Sequence, residues 1–188
     1  MSPDWKELYK DRWAAGRERM HLVAQRITDW GYRAEPFGFM ADSTEHTPDH
    51  PPEKGIPDLR VALPCGQRVY VEVTGSGGFM SPEAPLWIRP DKAAYALRHP
   101  RQDCWVAYAL DGLTPPNLRF VRLGFALDRY KTIRPVLRGG EESYLEIPAN
   151  SADVLDEPTF RAYLDSFPRR RLSPRFWLHK LKAWLLEA

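Results

Sequence analysis

Residues 56–74 read IPDLRVALPCGQRVYVEVT, and this stretch decides the fold. Leu59, Val61 and Leu63 alternate with Asp58, Arg60 and Ala62. Val69, Val71 and Val73 alternate with Arg68, Tyr70, Glu72 and Thr74. A period of two marks strands whose successive side chains point to opposite faces. Pro64-Cys65-Gly66 lies between the two runs. A three-residue hairpin loop takes a type I turn and then a left-handed residue, usually Gly. With Leu63 opposite Gln67, Val61 faces Val69, Leu59 faces Val71, Arg60 faces Tyr70 and Asp58 faces Glu72. A two-residue Cys65-Gly66 turn would set Leu59 against Glu72 and mix the faces, so the first register is expected. The register has a chemical consequence. Two carboxylates stand opposed on one face, a repulsion of up to roughly 1 kcal/mol that a cation, a proton or a metal must offset.

Working outward, residues 4–30 read as helix. Met20, Val23, Ile27 and Trp30 recur at three and four, and Leu8 and Tyr9 fit an earlier turn. Gly16 offers a break in this helix and Gly31 a C-terminal stop. Tyr32–Phe39 reads as a first strand, and residues 41–55 as a polar, proline-rich loop. Beyond the hairpin, Gly75–Pro85 is a Gly/Pro/Ser loop. Pro90 suits the first turn of a helix that runs to about Arg98, with Asp91 favourable near its N-terminus. Cys104–Leu110 reads as a buried strand and Arg119–Leu127 as another. Residues 130–150 are ambiguous, with a hairpin one reading. Pro158–Phe167 and Pro174–Leu186 suggest helices.

The chain has 188 residues, 43% of them hydrophobic, which suits one domain with a substantial core. Residues 1–150 are expected to form that core and residues 151–188 a helical, basic extension of it. The net charge of +2 hides an asymmetry. Arg169, Arg170, Arg171, Arg175, Lys180 and Lys182 stand against Glu187 alone in residues 168–188, so the body is acidic and the tail basic. No apolar run approaches the ~20 residues that span a bilayer. The charged N-terminus has no apolar signal core. Cys65 and Cys104 make neither a disulfide framework nor a zinc quartet. A cytoplasmic protein without membrane association is expected.

Two carboxylates on strand ends suit a hard divalent cation such as Mg²⁺, which prefers oxygen ligands and keeps several waters. With a helix before the hairpin, and a helix and strand after it, the segment GIPDLRVALPCGQRVYVEVTG resembles the PD-(D/E)XK nuclease superfamily. The upstream GRERMHLVAQRITDWGY looks like the first helix of archaeal Holliday-junction resolvases and their relatives. The resemblance covers roughly residues 16–112. It implies an α/β, restriction-endonuclease-like fold, a mixed central sheet flanked by helices, and metal-dependent hydrolysis of phosphodiesters. Asp58 and Glu72 would bind Mg²⁺ (Mn²⁺ substituting) with the Val73 carbonyl, and Glu18 occupies the place of a helical glutamate that joins the site. DNA is the expected partner, and many relatives act as homodimers.

One position departs from the superfamily pattern. Its motif lysine, two residues after the acid, is here Thr74, which has no permanent charge to offset that of a transition state. Either the lysine has migrated, to Lys92 at the start of the next helix or less favourably to Lys54, or the site is inactive. The chain would then be a non-catalytic module that binds nucleic acid or a partner protein. An RNA-directed nuclease would use the same residues. Tyr70 shares the Glu72 face and is either site lining or strand packing. Outside the motif, Glu72 would simply be a strand carboxylate paired with Arg60 or Arg68, and Glu18 a solvated helix acid. His46, Asp49, His50 and Glu53 form a second acidic and imidazole cluster, read as a loop because its prolines oppose a helix. The tail's arginines and lysines, interleaved with Phe176, Trp177 and Trp184, suit phosphates and unstacked bases. Gly75-Ser76-Gly77-Gly78 lacks the Lys-Ser/Thr of a phosphate loop.

Overall fold

The computed structural model describes residues 5–38, 53–112, 117–137 and 140–171, with side chains described between residues 14 and 167. Helix α1 spans Trp5–Asp29 and runs unbroken through Gly16, so the expected break is absent. Met20, Val23 and Ile27 are its buried stripe. Strand β1, Arg33–Pro36, follows and pairs antiparallel with β2, Leu59–Ala62. β2 pairs in turn with β3, Arg68–Gly75.

The β2–β3 register is the one the hydrophobic alternation selects: Leu59 opposite Val71, Arg60 opposite Tyr70 and Val61 opposite Val69. The turn is the three-residue loop. Gly66 donates its N–H to the Leu63 carbonyl at 2.8 Å, and Leu63 donates to Gln67 at 3.0 Å. Gly66 has φ +78°, a left-handed conformation that a Cβ would strain.

β3 continues through a short strand β4, Leu86–Ile88, and helix α2, Pro90–Arg98, to strand β5, Asp103–Leu110. β5 lies parallel to β3, which requires this long crossover. Strand β6, Asn117–Arg122, is antiparallel to β5. It stops short of the expected Leu127: Leu123 still donates to the Cys104 carbonyl at 2.9 Å, and Gly124, at φ +103°, then breaks the extended backbone. The ambiguous 130–150 segment holds β7 (Lys131–Ile133), the small β8–β9 pair (Val136–Leu137, Gly140–Glu141) and β10 (Tyr144–Ile147). Strand β11, Val154–Asp156, and helix α3, Glu157–Arg171, follow.

The result is a mixed α/β fold. A six-stranded sheet of order β1-β2-β3-β5-β6-β11 lies between helices, and a smaller sheet, β4-β10-β7, packs beside it. One face of the large sheet buries Val69, Val71, Trp105 and Phe120 against α1 and α3, including Phe160 and Leu164. The other buries Val106 and Tyr108 against Ala93, Tyr95 and Ala96 of α2 and Leu86, Ile88, Leu145 and Ile147 of the small sheet. β5 is covered on both faces, which explains its near-continuous apolar run. Among the described residues, no helix is long and apolar enough to cross a membrane.

The residues of the expected terminal helix, 174–186, lie outside the described ones, as do Arg175, Lys180 and Lys182. Arg169, Arg170 and Arg171 fall in the last turn of α3, and their side chains are likewise outside. His46, Asp49 and His50 are outside too. Glu53 is described, and it holds Arg98 and His99, each at 2.9 Å.

Candidate active site

Alternation along β3 divides its side chains between two environments. Val69 and Val71 turn to α1, while Tyr70, Glu72 and Thr74 turn to α2 and the small sheet. Asp58 closes the far end of the hairpin, just before β2. Its backbone carbonyl accepts the N–H groups of Phe37 (2.7 Å) and Gly38 (3.2 Å). Its side-chain Oδ2 accepts the Val73 N–H at 2.8 Å. The acid is therefore fixed to β3 by its own carboxylate, next to Glu72.

Lys92 completes the group. It sits in the first turn of α2, and its Nζ lies 2.7 Å from Glu72 Oε1, with the two side chains 19% and 12% exposed. The other oxygen, Oε2, is sealed from solvent, and among the described residues no donor reaches it. A buried carboxylate oxygen without a donor is costly. Here it belongs to a cluster of two carboxylates and one ammonium.

The electrostatics follow from that count. Burial pushes the Glu72 carboxyl up, the charge of Asp58 pushes it further, and Lys92 only partly opposes them, leaving it at about 8. Asp58 is also raised, chiefly by burial, against the opposing pull of the Val73 N–H and Lys92. Burial by itself lowers the Lys92 ammonium, but Glu72 and then Asp58 outweigh it and hold it above its usual value. Near neutral pH these shifts keep Lys92 charged and favour a protonated Glu72 carboxyl.

The donor set fits a hard divalent ion: two adjacent carboxylates, one with an oxygen that has no hydrogen-bond partner among the described residues. Among the described residues, no three His, Cys, Asp or Glu side chains converge closely enough to hold an ion by themselves. Water would have to supply the remaining ligands, as Mg²⁺ prefers.

The other sequence-derived residues are distributed as follows. Thr74 lines a cavity of about 170 Å³ with Glu72, Lys92, Trp87, Arg89 and Glu142. Tyr70 packs edge-on against Phe37 at 5.0 Å between centroids. Arg60 pairs with Glu35, not with Glu72. Lys54 is exposed, and its carbonyl accepts from Arg98 at 3.1 Å. Glu18 is exposed on α1, which covers the opposite face of β3 from Glu72, so the fold does not bring it to the pair. Its neighbour Arg19 turns inward instead, to Asp111 at the end of β5 (2.7 Å), where Asp111 also accepts the Gly77 N–H at 2.7 Å.

The cavity walls were not anticipated. Trp87 and Tyr144 come from β4 and β10, with ring centroids 6.0 Å apart. The Tyr144 hydroxyl donates to Glu142 at 2.6 Å. The only sequence signal for this wall is the alternation of Leu86, Trp87 and Ile88, which is too short to stand out from a loop.

No protein-family model matches the sequence, and no curated protein matches it significantly. Among solved structures, a Holliday junction resolvase, Hjc, from Archaeoglobus fulgidus is similar at 16% identity and a TM-score of 0.44, over 79% of this chain and 96% of that one.

Proposed function

We propose that the protein is a divalent-metal-dependent nuclease that hydrolyses DNA phosphodiester bonds, in keeping with the PD-(D/E)XK resemblance of its hairpin. The observation that carries the reading is the Glu72 carboxylate, held by Lys92 at 2.7 Å on one oxygen and without a donor among the described residues on the other, beside Asp58. One lysine beside two buried carboxylates leaves negative charge that a divalent cation would offset.

Asp58 and Glu72 are the residues that would hold Mg²⁺, with the Val73 carbonyl, and Mn²⁺ is the expected substitute. When bound, the ion supplies Lewis acidity toward a phosphoryl oxygen and makes a nearby water more acidic. Lys92 does the work of the lysine that Thr74 replaces: its ammonium stands at the same acid from the neighbouring helix, and it offsets negative charge developing on the phosphorane oxygens. The Val73 N–H fixes Asp58 so that the pair is oriented before substrate arrives. We assign Arg169, Arg170, Arg171, Arg175, Lys180 and Lys182 to backbone contacts, and we place the protein in the cytoplasm, as a homodimer where two strands are cut. Glu18, exposed on the helix that covers the opposite face of β3, is left out of this assignment.

Cleavage of a panel of labelled single-stranded, duplex, flapped and branched DNA tests the reading, with the matching RNA alongside. Wild type should cut one or more substrates in Mg²⁺. Asp58→Ala and Glu72→Ala should lose cleavage by at least ~100-fold while remaining folded. Either variant cutting at the wild-type rate would remove the assignment. Thr74 favours one second reading, a binding module without catalysis, and no cleavage of any substrate by a wild type that still binds DNA would select it. Preference for the RNA panel would redirect the same site to RNA.

A further inference from the structure

A second cavity, of about 540 Å³, opens at the other end of α2. Ala96 and Leu97 of α2 line it, with Arg101, Arg122, Arg129 and Phe167. Lys92 and Leu97 are five residues apart, about 8 Å along a helix axis, so α2 links this cavity to the catalytic pocket.

The arginines are held in an unusual way. The Arg122 guanidinium lies over the Trp105 ring at 5.9 Å and over the Tyr163 ring at 5.7 Å. Its nearest acid, Asp103, is 4.0 Å away and already accepts the Trp105 indole N–H at 3.1 Å and the Tyr163 hydroxyl at 2.7 Å. Aromatic faces therefore orient this guanidinium, and its donors are not consumed by a carboxylate fork. Arg129 contacts Asp153 at 3.3 Å, and Asp153 also accepts the Tyr130 hydroxyl at 2.5 Å. Arg101 is exposed and makes no ion pair among the described residues. Three guanidinium groups face two acids that already hold phenol or indole donors. Phe167 is the last described side chain before the turn of α3 that carries Arg169, Arg170 and Arg171. The cavity is thus continuous in sequence with the basic tail.

We infer that this cavity is a phosphate-binding site for the nucleic-acid backbone, with Arg122 and Arg101 as its principal contacts, separate from the catalytic pocket. The inference rests on the nuclease reading for the identity of its ligand. A planar, preoriented guanidinium suits bidentate contact with a phosphate, and a second anchor along α2 fixes how far the strand extends beyond the cut.

The test measures binding of a fluorescent oligonucleotide by anisotropy in EDTA, across a salt series, for wild type, Arg122→Gln, Arg122→Lys and Arg101→Gln. Arg101 is exposed, so its variant folds even where loss of Arg122 from the two rings disturbs packing. Each glutamine variant should bind about tenfold more weakly, without regard to base sequence. The salt slope should fall by roughly 0.7–0.9 per lost phosphate contact. Arg122→Lys should fall between, because it keeps charge and loses the stacked fork. In Mg²⁺, kcat at saturation should hold while KM rises. Wild-type affinity and slope in both glutamine variants, with cleavage intact, would overturn the phosphate site and leave the nuclease standing. A wild type that neither binds nor cuts any nucleic acid overturns both.

Discussion

Glu72 holds opposing demands in one side chain. Lys92 stabilises its charge from one oxygen, while burial and Asp58 oppose that charge. Glu72→Gln removes the charge and keeps the shape. In metal-free protein at pH 7 it should raise stability by roughly 1 kcal/mol or more, because the unfolded glutamate releases a proton that the folded one keeps, as read from urea unfolding. The same variant should lose cleavage. Stability gained where activity is lost is what a functional carboxylate predicts; a destabilised Glu72→Gln would indicate a structural ion pair instead. Lys92→Ala should slow cleavage by about 100-fold and leave Mn²⁺ affinity within a few-fold, because its ammonium stands beside the acid and is not a metal ligand. An unchanged rate would retire Lys92 from the mechanism.

At the scale of elements, the site depends on how the 53–57 turn meets α2. Gly55 has φ +87°, and a Cβ there would lie 2.3 Å from the Asp91 carbonyl oxygen, one residue from Lys92. Gly55→Ala should therefore destabilise by roughly 1–3 kcal/mol in urea unfolding. It should also reduce cleavage beyond what the lost folded fraction explains, because α2 must shift. The hairpin was legible in the sequence because three independent signals agree there. The alternation, the Pro-Cys-Gly loop and the matching of faces all select one register, and Leu59 opposite Val71 follows. The Lys92 contact was legible for a related reason, since Pro90 fixes the helix start two residues before it. Glu18 shows where that legibility ended. Periodicity locates Met20, Val23 and Ile27 on the buried stripe, but it does not say which face of the sheet α1 will cover. β4 and β11 escaped because a strand of three residues carries too little pattern to separate from a turn. Arg122 escaped because its partners, Trp105 and Tyr163, meet only in the tertiary fold.

For the whole molecule, the cluster links stability to pH and to metal. Glu72 has an ordinary value of 4.5 and a folded value of about 8. Below 4.5 both folded and unfolded chains hold the proton. Between 4.5 and 8 the unfolded chain releases it and the folded chain retains it, so the unfolded state binds fewer protons and stability falls as pH rises. Asp58, also raised, acts with the same sign. Lys92 is raised from 10.5, so its contribution changes only above this window. Thermal melts in EDTA from pH 5 to 8 should show wild type losing stability relative to Glu72→Gln as pH rises. Added Mg²⁺ should restore wild type most at the upper end, where it competes with fewer protons. A constant difference between the two proteins would mean that Glu72 is not buried with a raised pKa.

The most direct measurement is calorimetric titration of Mn²⁺ into metal-free protein at pH 7, repeated in two buffers of different ionisation enthalpy. If Asp58 and Glu72 form a cation site, wild type should take up metal with release of about one proton, seen as a buffer-dependent heat. Asp58→Asn should lose the binding while keeping the fold. No binding to wild type, or binding that Asp58→Asn leaves intact, would contradict a metal centre on this hairpin.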